Sequence, residues 1–250
     1  ESFRSDRVFL LGDAAHQMPP FLGQGMCAGI RDAHNLAWKV AGVLDGTYSA
    51  DLLETYTSER RPHARQVVET AVFVGSIIQT RNRLAAFLRN CFLLLGSRFP
   101  VLVSRLEFDF GWNLGEGCLA IDEAPADKSP IGQPFPQANV RAADGTSVLS
   151  DDLLGDGFAL VGFGIDPAAL FADAPARTDL PIEAVHLGPD GIADYRGTLL
   201  EDWVRNLDIQ IAVVRPDRQV FGVCGAKADP MAELEQVLAR LGSWIHPRAA

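Results

Sequence analysis

An α/β architecture is predicted for this chain of 250 residues, and three features of its patterning carry that reading. A continuous apolar run near the N-terminus ends in glycine and gives way to a helical stripe. A helical block without strand signals follows. The remainder then alternates between strand and helix patterns. The composition, 48% hydrophobic and 22% charged, is that of ordinary globular protein and excludes disordered and fibrous classes. At about 150 residues per domain, the length suits one or two domains.

The first run, Arg7-Val8-Phe9-Leu10-Leu11, reads as a strand buried on both faces. Gly12-Asp13 ends it, and Pro19-Pro20 with Gly23-Gln24-Gly25 keeps the next stretch irregular. Met26, Ile30, Ala33, Ala37, Val40 and Leu44 then recur at steps of four and three, predicting a helix with these six side chains on one face. Asp45-Gly46 stops it. The helical block begins at Asp51–Arg60, Pro62 opens or kinks a further helix through roughly Gln79, and Arg83–Leu95 forms a third. Between Gly111 and Asn139, Gly115, Gly117, Pro125, Pro130, Gly132, Pro134 and Pro136 predict an ordered loop.

In the last part, Gly157–Gly164 is a predicted strand, Pro167–Ala172 a short helix and Ile182–Leu187 a second strand. Leu199–Asn206 is helical, and Ile209–Arg215 with Gln219–Val223 forms a hairpin across Pro216-Asp217. Met231–Leu241 closes as a helix with Leu234, Val237, Leu238 and Leu241 inward. This β-α-β-α-β-β-α order resembles a thioredoxin fold. At the position of that fold's Cys-x-x-Cys the chain reads Gly164-Ile165-Asp166-Pro167, so a redox role has no chemistry behind it.

The formal net charge is −10, which argues against a nucleic-acid partner. The charge is uneven. Residues 54–105 hold eight Arg against Glu54, Glu59 and Glu69, which reads either as a solvated helical face or as a docking surface for an acidic partner. The longest apolar stretch, around Cys91–Val103, is broken by Gly96, Ser97 and Arg98, short of the ~20 residues a membrane span needs. Cys27, Cys91, Cys118 and Cys224 form no Cys-x-x-Cys pair and read as buried small hydrophobes in a reducing compartment. The chain opens Glu1-Ser2-Phe3-Arg4 without a Met, so a longer parent chain is expected.

The segment Arg7–Lys39 holds the pattern that bears on chemistry. It places the Asp13 carboxylate at the C-terminal end of a strand, where open α/β sheets bind ligands. Gly23 and Gly25 then let a ligand approach the backbone at a helix start that offers unpaired N–H groups and partial positive charge. Such a site suits an anionic or electron-rich group beside one bearing hydroxyls. A tight strand-to-helix turn with glycines required only by sterics explains the same residues.

Gly12-Asp13-Ala14-Ala15-His16, then Pro19-Pro20 and Gly23-Gln24-Gly25-Met26, resembles the second flavin-binding motif of the single-component, class A FAD-dependent aromatic hydroxylases. Within that family the likeness is nearest to 3-(3-hydroxyphenyl)propionate hydroxylases. It extends through Arg31-Asp32-Ala33, Asn35-Leu36-Ala37-Trp38-Lys39 and Leu53-x-x-Tyr56-x-x-Glu59-Arg60-Arg61-Pro62, and resumes at Val214-Arg215-Pro216-Asp217. The resemblance implies the C-terminal portion of such an enzyme. Residues 1–48 would end an FAD-binding domain, 49–125 form a helical region and linker, and 126–250 a thioredoxin-like domain lacking CxxC. FAD is the implied cofactor and NAD(P)H the reductant. The implied partners are a small aromatic substrate and O2 in the cytoplasm, with a homodimer left open.

Carried over by resemblance, Asp13 accepts a hydrogen bond from a ribityl hydroxyl of FAD, beside Gly12 and Ala14. Backbone groups of Gly23, Gln24, Gly25 and Met26 approach the N1–C2 edge of the isoalloxazine, and Pro20 lines the side where substrate and oxygen meet. Cys27 stands where many relatives have Asn, so its N–H rather than its side chain is the expected contact. The family's N-terminal Gly-x-Gly-x-x-Gly turn is absent here.

No side chain of this chain is assigned a catalytic role, because in this chemistry the flavin activates oxygen. His16 is expected to hydrogen-bond within its turn. His34, His63, His186 and His246 show no metal-ligand spacing. Two alternatives stand beside the hydroxylase reading: a related flavoprotein that inserts no oxygen, and a non-enzymatic thioredoxin-like interaction module.

Overall fold

The computed structural model describes residues 2–98, 113–121, 129–174, 182–226 and 229–245. It is a mixed α/β structure in which a small N-terminal part and two long helices lean on a sheet-based terminal domain. The chain starts as a two-stranded hairpin, β1 (Arg4–Ser5) against β2 (Val8–Phe9), turned at Asp6 with φ 51°. Helix α1 (Gly25–Leu44) follows two short 3-10 turns, Gly12–Ala14 and Pro20–Leu22. Helices α2 (Thr55–Ile78) and α3 (Arg83–Arg98) complete this part.

Two expectations are corrected here, and the face of α1 is settled. The run Arg7–Leu11 is not buried on both faces: Val8 is 63% exposed and Leu10 and Leu11 are exposed too. Two-sided burial needs sheet neighbours, and among the described residues β1 alone pairs with it. The stripe on α1 also faces outward, with Met26 76%, Ile30 59% and Leu44 82% exposed. The buried face is Ala28, Asp32, Asn35, Leu36, Lys39 and Gly42, because its polar members find ionic partners inside. Pro62 does not open a helix; it lies inside α2. Its missing N–H leaves the Ser58 carbonyl without an intrahelical donor, and Gly115 packs on that turn. A Cβ on Gly115 would sit 2.1 Å from the Ser58 oxygen, and Gly115 N–H donates to Glu59 C=O at 3.0 Å.

The terminal domain is built on β3 (Asn139–Ala142), β4 (Ser147–Leu149), β5 (Phe158–Phe163), β6 (Ile182–Leu187), β7 (Ala193–Asp194), β8 (Ile209–Val214) and β9 (Val220–Gly225). They form one sheet in the order β4-β3-β7-β6-β5-β8-β9. β5 runs parallel to β6 and antiparallel to β8, and β8 is antiparallel to β9, as the thioredoxin-like order requires. Helices α4 (Pro167–Asp173), α5 (Leu199–Leu207) and α6 (Pro230–Ile245) complete the domain. Asp166 and Thr198 cap α4 and α5, accepting from the N–H groups of Ala168 and Leu200.

Alternation along the strands makes two cores. Phe158, Leu160, Ile211, Val213 and Phe221 face α6, whose Leu234, Leu238 and Leu241 are fully buried. Ala159, Val161, Ala212 and Val214 face the other way, with Leu200 of α5. The first core also takes Leu52, Trp38 and Tyr48, so the N-terminal helices are packed into the terminal domain rather than tethered beside it.

The expected loop region is irregular over residues 113–121 and 129–138; its residues 111–112 and 122–128, like His246, lie outside the described residues. Cys118 and Cys224 are buried, and burial raises both thiols to about 12, which leaves them inert. Cys27 is half-buried and Cys91 exposed, against the expectation of four buried cysteines.

Candidate functional site

The turn that carries Asp13 is held from below. Gly12 has φ +53°, a conformation that favours glycine, and its N–H donates to Asp32 Oδ2 at 3.0 Å. His16 donates through Nε2 to the same oxygen at 2.6 Å, while Arg60 Nε donates to Asp32 Oδ1 at 2.9 Å. Arg60 Nη2 also donates to His63 Nδ1 at 3.1 Å. A guanidinium only donates, so His63 is the neutral tautomer with its proton on Nε2. The partner of His16 is therefore on α1 and not in its own turn. His63 belongs to a network although no sequence spacing marked it.

Close packing fixes the start of α1 against this turn. A Cβ on Gly29 would lie 3.2 Å from Gly12 Cα, so two glycines let helix and turn touch. Tyr56 donates from its hydroxyl to Leu10 C=O at 2.9 Å, tying β2's end to α2. The ring of Phe21 covers Gly75 of α2, where a Cβ would meet it at 2.3 Å. Gly23 takes φ +63° and ends the 3-10 turn, and a Cβ there would meet nothing within 4 Å.

The first intrahelical bond of α1 is Ala28 N–H to Gln24 C=O at 2.8 Å. The N–H groups of Gly25, Met26 and Cys27 precede it and point out of the helix N-terminus. Asp13, Ala14, Pro20 and Gly23 are exposed around that end, and Gln24, Gly25 and Cys27 are half-buried. A cavity of about 390 Å³ opens beside the turn, lined in part by Leu10, Ala14, His16 and Arg61. Asp13 and the start of α1 do not line that cavity; the exposed carboxylate and the oriented N–H groups lie beside it, with Gly23 leaving space above the backbone.

A second network was not anticipated. Glu59, fully buried, accepts at Oε2 from Asn35 Nδ2 at 2.7 Å, Lys39 Nζ at 2.8 Å and Arg215 Nη2 at 2.9 Å. At Oε1 it accepts from Cys118 N–H at 2.8 Å. Arg215 donates to both oxygens of Asp217, at 3.0 and 2.7 Å, and to Cys118 C=O at 2.9 Å. Two cations thus face two carboxylates. Burial alone would raise the Glu59 carboxyl, but Arg215 and then Lys39 outweigh it and hold it well below the usual range. The signal that could have found the two networks is the i, i+3/i+4 spacing of Asp32, of the first, and Asn35 and Lys39, of the second, on one face of α1.

The ionisation of the first network sets a pH dependence. Burial, then Arg60 and Arg31, lower His63 to about 3. Its stabilising effect is complete above about 6.5, its unfolded value, and is lost as pH falls, because only the unfolded chain takes up the proton. Asp32 is raised by burial but lowered further by His16 and Arg60, so its contribution disappears in the same direction below its ordinary range. Between pH 7 and 4.5 the His63 effect amounts to roughly 2–3 kcal/mol. Urea unfolding across that interval should show the decline, and His63→Gln should flatten it. An equal decline in the variant would assign the dependence elsewhere.

Residues 1–71 match the family model described as FAD binding domain, and residues 132–241 match that described as HcaD C-terminal domain. The chain is 37% identical over 249 residues to a 3-(3-hydroxy-phenyl)propionate/3-hydroxycinnamic acid hydroxylase of Mycobacterium sp. (strain JLS), covering 92% of this chain and 44% of that protein. It is 37% identical to the protein of that name from Klebsiella pneumoniae (strain 342), covering 93% and 46%. The chain therefore spans less than half the length of these relatives. Among solved structures, OxyS anhydrotetracycline hydroxylase from Streptomyces rimosus superposes with a TM-score of 0.67 at 25% identity, covering 100% of this chain and 46% of that one. Aklavinone-11 hydroxylase, solved with FAD and aklavinone, gives 0.63 at 26%, covering 97% and 45%.

Proposed function

Because the chain belongs to the family of FAD-dependent aromatic hydroxylases, as a C-terminal portion of it, we propose that it supplies the flavin-facing turn, the helical bridge and the terminal domain of a monooxygenase that hydroxylates a phenolic or aromatic acid. FAD is its cofactor, NAD(P)H the reductant, and O2 and a small aromatic acid the substrates. The domains divide at 1–48, 49–125 and 126–250, and the enzyme works in the cytoplasm as a monomer or homodimer. None of the described helices is long and apolar enough to cross a membrane.

One observation carries this reading: the exposed Asp13 turn is locked to the first two turns of α1, through the Gly12 N–H on Asp32 and the close packing of Gly12 on Gly29. The residues fit the group. Asp13 is free to accept from a ribityl hydroxyl, and the open space at Gly23 admits a flat ring close to the backbone. The N–H groups of Gly25, Met26 and Cys27, with the positive end of α1, favour negative charge at the ring edge above them. Gly12 and Ala14 shape the turn, and Pro20 and Gln24 border the ring. FAD, when bound, supplies the activation of oxygen. The chain's own part is to hold the ring, orient it and stabilise charge.

Asp13→Ala, in a protein of the relatives' full length, should weaken FAD retention by about 1.5–3 kcal/mol, roughly 10- to 150-fold, through loss of one charge-assisted hydrogen bond. The terminal domain's circular dichroism should not change. Unaltered flavin affinity would remove Asp13 from the site. Growth of product in 18O2 tests the reaction itself: label in the hydroxylated acid supports it, and unlabelled turnover points to a non-oxygenating flavoprotein.

A further inference from the structure

The two buried networks meet on neighbouring residues. Glu59 and Arg60 are adjacent on α2, and Asp32 and Asn35 are one turn apart on α1. At one level the Asp32–Arg60 pair holds Gly12 and His16. At the next, Asn35 donates to both Glu59 and Asp217, at 2.7 and 3.1 Å, and Arg215 joins the same two carboxylates. Arg215 and Asp217 sit in the β8–β9 turn of the terminal domain, more than 150 residues along the chain from Glu59. The Arg215 guanidinium also lies 5.2 Å from the Trp38 ring centroid, a further hold on α1.

We propose that Arg215 and Asp217 are positioning residues for the flavin-facing turn, setting the spacing of α1 and α2 and thereby the Asp32–Arg60 clamp on Gly12. This inference rests on the flavin reading only for its functional meaning; the mechanical link stands on the chain itself. The terminal domain, lacking a dithiol, then has a defined task. Its β8–β9 turn is the wedge that keeps the two helices in register, because a buried ion pair has one good geometry and a high penalty for leaving it.

Hydrogen exchange of this chain, resolved by amide, tests the link. Asp217→Asn should speed exchange at Gly12, His16 and Ala28 by about tenfold, and Arg215→Lys by less, since it keeps the charge but loses the fork. Asp202→Asn, on the exposed side of α5, should change nothing there. Acceleration confined to residues 113–121 and 209–225 would overturn the proposal. Arg215→Lys carries the same test if Asp217→Asn does not fold. In a protein of the relatives' full length, Asp217→Asn should raise the FAD dissociation constant by about tenfold, alongside the faster exchange. Faster exchange in a wild-type-length protein that holds no flavin would refute the flavin reading and leave the link intact. Flavin affinity and turn exchange both unchanged would refute the link alone.

Discussion

Glu59→Ala is expected to destabilise this chain by about 3–5 kcal/mol, a loss comparable with the whole stability of many domains. Glu59 is the common acceptor for Asn35, Lys39, Arg215 and the Cys118 N–H, so its removal leaves two buried cations facing Asp217 alone. Burial already lowers Lys39, so part of the response will be its neutralisation. Urea unfolding followed by circular dichroism measures the loss, with Glu201→Ala as a comparison. Glu201 pairs with Arg205 on the exposed side of α5 and should cost no more than about 1 kcal/mol. A combined replacement of Lys39, Glu59, Arg215 and Asp217 by apolar residues should cost less than Glu59→Ala, because it leaves no orphaned charge. A Glu59→Ala loss below about 1 kcal/mol would show that water or side-chain movement relieves the cluster.

The same cluster explains what could be read from the sequence and what could not. Elements of the terminal domain fall within a residue or two of their expected places, apart from the last helix, which runs four residues past Leu241, since alternation, the caps at Asp166 and Thr198, and the Pro216-Asp217 turn act locally. The strands β3, β4 and β7 went unread because runs of two to four residues carry no usable period. On α1 the apolar stripe lies on the exposed side. A hydrophobicity pattern is blind to a polar face that becomes buried by pairing, and the partners of Asn35 lie 24 and 182 residues away. The glycine turn was legible because steric demands are local. Its support from Asp32 and Arg60 was not, because that support is tertiary.

This 250-residue chain alone is expected to bind FAD at least about 100-fold more weakly than a protein of its relatives' full length. The described site offers one carboxylate, a glycine loop and the N-terminus of α1, which suit the ring and ribityl half of the molecule. Its Gly-x-Gly sets, Gly23–Gly25, Gly115–Gly117, Gly155–Gly157 and Gly162–Gly164, are not followed three residues on by another glycine. A pyrophosphate cradle of the Gly-x-Gly-x-x-Gly kind is thus missing from the chain, and with it several backbone hydrogen bonds worth roughly 1.5–3 kcal/mol each. Two or three such losses already exceed two powers of ten at about 1.4 kcal/mol each. The strand under the site compounds the weakness. Among the described residues β2 pairs with β1 alone, and Val8, Leu10 and Leu11 stay exposed, so the turn at Asp13 rests on a two-stranded hairpin with an open edge. Titration of the purified chain with FAD, followed by flavin fluorescence, should show no saturation below about 10 μM. Submicromolar, one-to-one binding would mean that the glycine loop and the first turn of α1 suffice, and that the phosphate half contributes far less than its hydrogen bonds suggest.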